Sequence, residues 1–173
     1  MIAVLTNGEV AAFYNFVAFA AALLMVPLVK RMGPGPLHAL CLACGGLGML
    51  ALPHIADKTL LFVPAIGIGL AWGSIMGNPY AILSNSIPPE RTGVYMGIFN
   101  MMIVIPMLLF AMVMSRLDLG FVSLGAGAYE HLLGNDPRNM LSVCGVCLIL
   151  AALSVLWVRE GRVSAVAPEP LPA

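Results

Sequence analysis

Asn78, Asn100, Tyr14, Asn15 and Trp72 are the side chains of this 173-residue sequence best placed to hold a small polar solute. Each lies in a long apolar run, where an amide or phenol needs a partner, and a solute hydroxyl serves as well as a neighbouring helix. Trp72 offers either a stacking platform for a ligand or a surface for packing and lipid. No Ser/His/Asp or Cys/His set is visible. His38, His54 and His131 fall in three separate segments near membrane ends or loops, where polar solvation accounts for them, so an enzyme is not expected.

Cys41-x-x-Cys44 and Cys144-x-x-Cys147 have the spacing of metal or redox pairs. They belong to different segments at different expected depths and cannot share one tetrahedral ion, and His38 at i−3 from Cys41 completes no ligand set. Free thiols are the reading, with no metal and no cofactor beyond a coupling proton or sodium ion. Gly67-x-Gly69 followed by Gly73 sits inside an apolar helix and not after a strand, so it is no dinucleotide fingerprint.

The elements that carry these residues follow from composition. Hydrophobic residues make up 61% of the chain and charged residues 9%, an excess too large for a water-soluble core. Charges are absent from 10–29, 32–56, 59–89, 92–115 and 139–158, each long enough for a helix to cross the hydrocarbon of a bilayer. The runs are apolar on all faces, which argues against the alternation of a β-barrel. The expected fold is all-α and polytopic, with about five transmembrane helices at 9–29, 37–53, 60–87, 93–114 and 140–158 and a disordered tail at 159–173. Met32 to Pro36 reads as a turn, and Ser115 to Asn139 as a surface loop holding a short helix at most.

A net charge of zero without a basic cluster excludes nucleic acid as a partner. Met1 to Asn7 lacks the basic start and cleavage site of a removable signal, so the first helix stays in the membrane. Lys30, Arg31, Arg91, Arg159 and Arg162 fall on one side and Lys58, Arg116 and Arg138 on the other, which places the carboxyl terminus in the cytoplasm of a plasma-membrane protein.

At about 100° per residue, Ser74, Asn78 and Asn85 share one stripe of the third helix, and Gly69, Gly73 and Gly77 share another. The glycine stripe reads as a packing seam, and the polar stripe as a bond to a helix or to a solute. Pro79 deprives the Ile75 carbonyl of its helical donor, which adds a second polar group beside Asn78. On the fourth helix Gly93, Gly97 and Asn100 share a stripe, so Asn100 continues a small-residue seam and serves either an interhelical bond or a solute.

Ala71 to Ser84 (Ala-Trp-Gly-Ser-Ile-Met-Gly-Asn-Pro-Tyr-Ala-Ile-Leu-Ser), then Pro88 to Met101 (Pro-Pro-Glu-Arg-Thr-Gly-Val-Tyr-Met-Gly-Ile-Phe-Asn-Met) and Val104 to Pro106, resemble the major facilitator superfamily. Within it, the likeness is to sugar:cation symporters of the sucrose and maltose transporter type. Tyr14-Asn15 and Gly45 to Gly48 fit the same pattern. The resemblance implies two six-helix halves with a sugar-like solute bound between them, and aligns this chain with the last five helices, part of the carboxyl-terminal half. It implies symport of a disaccharide-like solute, with Asn78, Asn100, Tyr14, Asn15 and Trp72 as cavity residues and an amino-terminal half as a required partner.

The chain departs from the family in two places. Lys30-Arg31-Met32-Gly33 runs into Pro34-Gly35-Pro36 where the family carries a Gly-Arg-Lys-type motif, and no carboxylate lies deep in any span. The competing expectation is a non-transporting membrane protein, truncated or acting as a scaffold subunit for a separately encoded half.

Overall fold

The structure, a computed structural model, describes residues 2–84, 86–114, 117–118, 123–124 and 136–158. The chain is all-helical apart from one minimal ladder. Its long helices are α1 (Ile2–Met32), α2 (Pro34–Ala51), α3 (Phe62–Ser84), α4 (Thr92–Met114) and α5 (Pro137–Trp157). Single 3-10 turns follow α2 at Leu52–His54 and precede α4 at Pro89–Arg91. The ladder pairs β1 (Leu117–Asp118) with β2 (Ser123–Leu124), antiparallel, within the stretch read as a loop. Asn85, the rest of that loop and the tail at 159–173 lie outside the described residues.

Several helices outrun their sequence-based limits for local reasons. α1 begins about two turns before residue 9, because one exposed carboxylate at Glu9 does not interrupt i→i−4 bonding. The turn expected over Met32 to Pro36 shrinks to Gly33 alone. Its φ of 83° is left-handed, its N–H bonds the Val29 carbonyl at 2.9 Å to close α1, and Pro34 then starts α2 where a missing N–H costs nothing. Gly33→Val places a β-branched residue in that conformation and is expected to destabilise the chain by about 1–2 kcal/mol, read by thermal unfolding in detergent. α5 starts at Pro137 because Asp136 caps it, its side chain accepting the Arg138 N–H at 2.9 Å.

α1 and α3 run parallel, with Tyr14 beside Gly69 and Ala18 beside Gly73. α2 is antiparallel to α3: Gly48 faces Pro64, Gly45 faces Gly67 and Ala71, and His38 faces Ser74. α5 is antiparallel to α2, where the Cβ of a substituted Gly46 would meet the Gly145 carbonyl at 2.8 Å. Glycine is what lets these backbones approach. Of the stripe read as a seam, Gly69 and Gly73 meet α1, while Gly77 has nothing within 4 Å. The small core between α1 and α2 holds Ala21, Met25, Leu37 and Cys41, with Val29 and Leu70 packed on it.

Among the described residues four helical stretches are long and apolar enough to cross a membrane: Gly8–Met32, Pro34–His54, Pro89–Leu109 and Arg138–Trp157. α3 matches them in length, but its glycines with Ser74, Asn78 and Tyr80 lower its apolarity. It packs against both α1 and α2. Phe16, Phe19 and Leu23 on α1, Met102 and Met107 on α4 and Leu150, Leu153 and Leu156 on α5 are exposed. Apolar faces of that extent are matched by acyl chains and not by water, as expected of a membrane protein.

Candidate functional site

Two polar groups of α3, Ser74 and Asn78, are buried. Ser74 is 0% exposed and Asn78 4%, and one turn apart they bond directly, Asn78 Nδ2 donating to Ser74 Oγ at 2.8 Å. The second turn of α2 brings His38, 6% exposed, to the same hydroxyl: His38 Nδ1 and Ser74 Oγ are 2.7 Å apart. Cys41, one turn further along α2, also reaches Ser74. Three buried polar groups thus form one chain across the α2–α3 seam. Among the described residues no fully buried side-chain nitrogen or oxygen lacks a hydrogen-bond partner.

A second polar contact joins α3 to α4. The Tyr80 hydroxyl donates to Asn100 Oδ1 at 2.8 Å, and the Tyr80 ring meets Phe99 edge-on with centroids 5.0 Å apart. α4 is otherwise exposed through its described side chains, and Gly93 and Gly97 have nothing within 4 Å. Among the described residues the small-residue stripe that Asn100 extends is therefore open. Tyr80→Phe removes one exposed hydrogen bond and is expected to cost about 0.6 kcal/mol, read by the same unfolding measurement.

Between the two contacts lies a cavity of about 420 Å³, lined by Gly35 and His38 of α2, Pro79, Ile82 and Leu83 of α3, Phe99 of α4 and Val155 of α5, with Ser86 and Val158 at its edge. The volume falls in the range of small-molecule sites. His38 and Ser86 supply its polar side chains, and Ser86 Oγ already donates to the Ile82 carbonyl at 2.9 Å. Beside it, Pro79 leaves the Ile75 carbonyl without a helical donor.

The five residues singled out from sequence are not gathered into one site. Asn78 belongs to the buried chain, and Asn100 to the α3–α4 contact. Asn15 is exposed and donates to the Ala11 carbonyl of its own helix at 2.8 Å, while Tyr14 is half-buried on α1 with its carbonyl against Gly69. Trp72 is 47% exposed and lines a different groove, of about 440 Å³, with Met49, Ile75, Cys144, Cys147 and Leu148. Two residues enter that sequence reasoning had not placed there. His38 is buried at a helix seam and not solvated at a membrane end, and Tyr80 bridges α3 to α4. Tyr80, next to Pro79, could have been found from its position beside the polar stripe of α3; nothing local marks the partner of His38.

The fold and the site define a class: an all-helical chain of membrane-protein type with a buried polar seam beside an apolar-walled cavity. No family model, curated protein or solved structure matches the chain.

Proposed function

We propose that the chain is the carboxyl-terminal part of a secondary transporter of major facilitator type, a sugar:cation symporter that moves a disaccharide-like solute by alternating access. It works with an amino-terminal half supplied by the same polypeptide or a separate one. The observation that carries this reading is the polar chain His38–Ser74–Asn78 beside a cavity lined by Pro79, which lies within the continuous helix α3. Broken helices with unsatisfied backbone groups are where transporters place their sites.

A sugar needs more polar partners than His38 and Ser86 supply, and the open faces of α1 and α4 leave room for helices that bring them. In this reading the protein lies in the plasma membrane, and the charge distribution of the loops supports a cytoplasmic carboxyl end.

The test is uptake of labelled sucrose and maltose by cells producing the chain together with an amino-terminal half. Asn78→Leu and Asn100→Leu are each expected to lower uptake about tenfold, the equivalent of one lost hydrogen bond to solute. Unchanged uptake in both variants removes them from the path. A second reading, a non-transporting scaffold subunit, is favoured by the exposure of α4 along its described length. It is tested by inspecting the adjoining coding sequence: seven matching helices favour a transporter, and their absence favours the scaffold.

A further inference from the structure

The hydrogens in the buried chain have two arrangements, set by the tautomer of His38: in one Nδ1–H donates to Ser74 Oγ, and in the other Nδ1 accepts from it. An amide N–H can only donate, so Asn78 Nδ2 takes one lone pair of Ser74 Oγ. The serine has one O–H to give, and the ring nitrogen 2.7 Å away is His38 Nδ1. With Nδ1 accepting, a neutral imidazole carries its hydrogen on Nε2.

On the Nε2–H tautomer a second proton goes to Nδ1. Ser74 Oγ can then accept from both His38 Nδ1–H and Asn78 Nδ2–H, and its own hydrogen rotates away toward the carbonyl of Leu70 one turn earlier in α3. Protonation therefore reverses the His38–Ser74 bond and rotates the hydroxyl whose oxygen accepts from Asn78. This happens next to Pro79, where α3 already lacks a backbone bond.

Little else competes for the charge. Among the described residues the ring shares its cavity with Pro79, Ile82 and Leu83 from α3, Phe99 from α4 and Val155 and Val158 from α5, none of them ionisable. On its own helix the ionisable neighbour is Cys41, and the cations of α1, Lys30 and Arg31, are exposed at that helix's end.

We infer that His38 is a proton-binding site, with Ser74 relaying the reversed hydrogen bond to Asn78. A role for that proton in transport rests on the transporter reading; the proton site itself does not.

The test is nuclear magnetic resonance of the full chain in nanodiscs, with ¹⁵N-labelled histidine and asparagine, His38→Gln assigning the ring signal. At about pH 8 the ring is expected as the Nε2–H tautomer, and on going to about pH 5 Nδ1 gains a proton while the Asn78 side-chain amide moves with the same midpoint. In Ser74→Ala the amide no longer follows the ring. An Asn78 signal that stays flat while His38 titrates, or a His38 ring that stays neutral to about pH 5, overturns the proposal, and the wild-type chain alone decides this if the serine variant does not fold. Coupled titration in a chain that takes up no sugar keeps the proton site and removes the transporter. Sugar uptake that ignores a pH gradient, without coupled titration, does the reverse.

Discussion

Gly46→Leu is expected to cost about 3 kcal/mol, the top of the usual range for overpacking, and to separate α5 from α2. A Cβ at Gly46 meets the Gly145 carbonyl at 2.8 Å and Ile149 Cγ1 at 2.7 Å, and Gly145 meets the Gly46 carbonyl in return at 2.9 Å. The Gly145 carbonyl and Ile149 N, the latter 3.2 Å away, are backbone, which cannot step aside as a flexible side chain does, so the helices must move apart along the seam. Unfolding of the detergent-solubilised chain, followed by circular dichroism, reads the loss. Gly97→Leu is the control: nothing lies within 4 Å of that position, and a change within about 0.5 kcal/mol is expected. A large loss at Gly97 would show that α4 packs on something in solution.

Ser74→Val is expected to destabilise by about 2 kcal/mol. Interhelical hydrogen bonds in membranes average only about 0.6 kcal/mol, so losing one bond alone would scarcely register. Here the same oxygen serves His38 and Asn78, both buried, and removing it strands two groups at once, each at a cost of about 1–3 kcal/mol if nothing replaces the partner. Asn78 can turn to a carbonyl of its own helix, whereas His38 has no such recourse, which is why the estimate stays near the cost of one stranded group. An unfolding midpoint for Ser74→Val equal to that of the unmodified chain would mean that the seam is wet or the histidine unpaired.

The proposed function joins these results. A polar chain that bridges α2 and α3 beside Pro79 couples two helices at the point where α3 is least held by its own backbone. Solute contact through Asn78 and proton contact through His38 would then act on one hydroxyl, Ser74, and a change at either end would reach the other. Among the described residues α4 meets α3 through Tyr80 and Asn100 and touches β2, and most of its described side chains are exposed.

Local features were legible because their causes are local. Charge-free stretches become helices since apolar side chains and i→i−4 bonds both solve the problem of lipid within the segment itself. Gly33 and Asp136-Pro137 could have set their helix ends more closely, because a left-handed glycine and an Asp cap with proline behind it act on adjacent backbone alone. The Ser74–Asn78 stripe on α3 was readable from helical spacing for the same reason.

Tertiary structure decided the rest. His38 and Ser74 are 36 residues apart, and whether they meet depends on where two rigid helices cross, which the close approaches at Gly45, Gly48 and Gly67 determine. The separation of Trp72 from Asn78 into two grooves, the tie of Tyr80 to Asn100 and the open glycines of α4 follow in the same way. Helical periodicity tells which face a side chain occupies, but the partner on the other side of that face is chosen only when the helices pack.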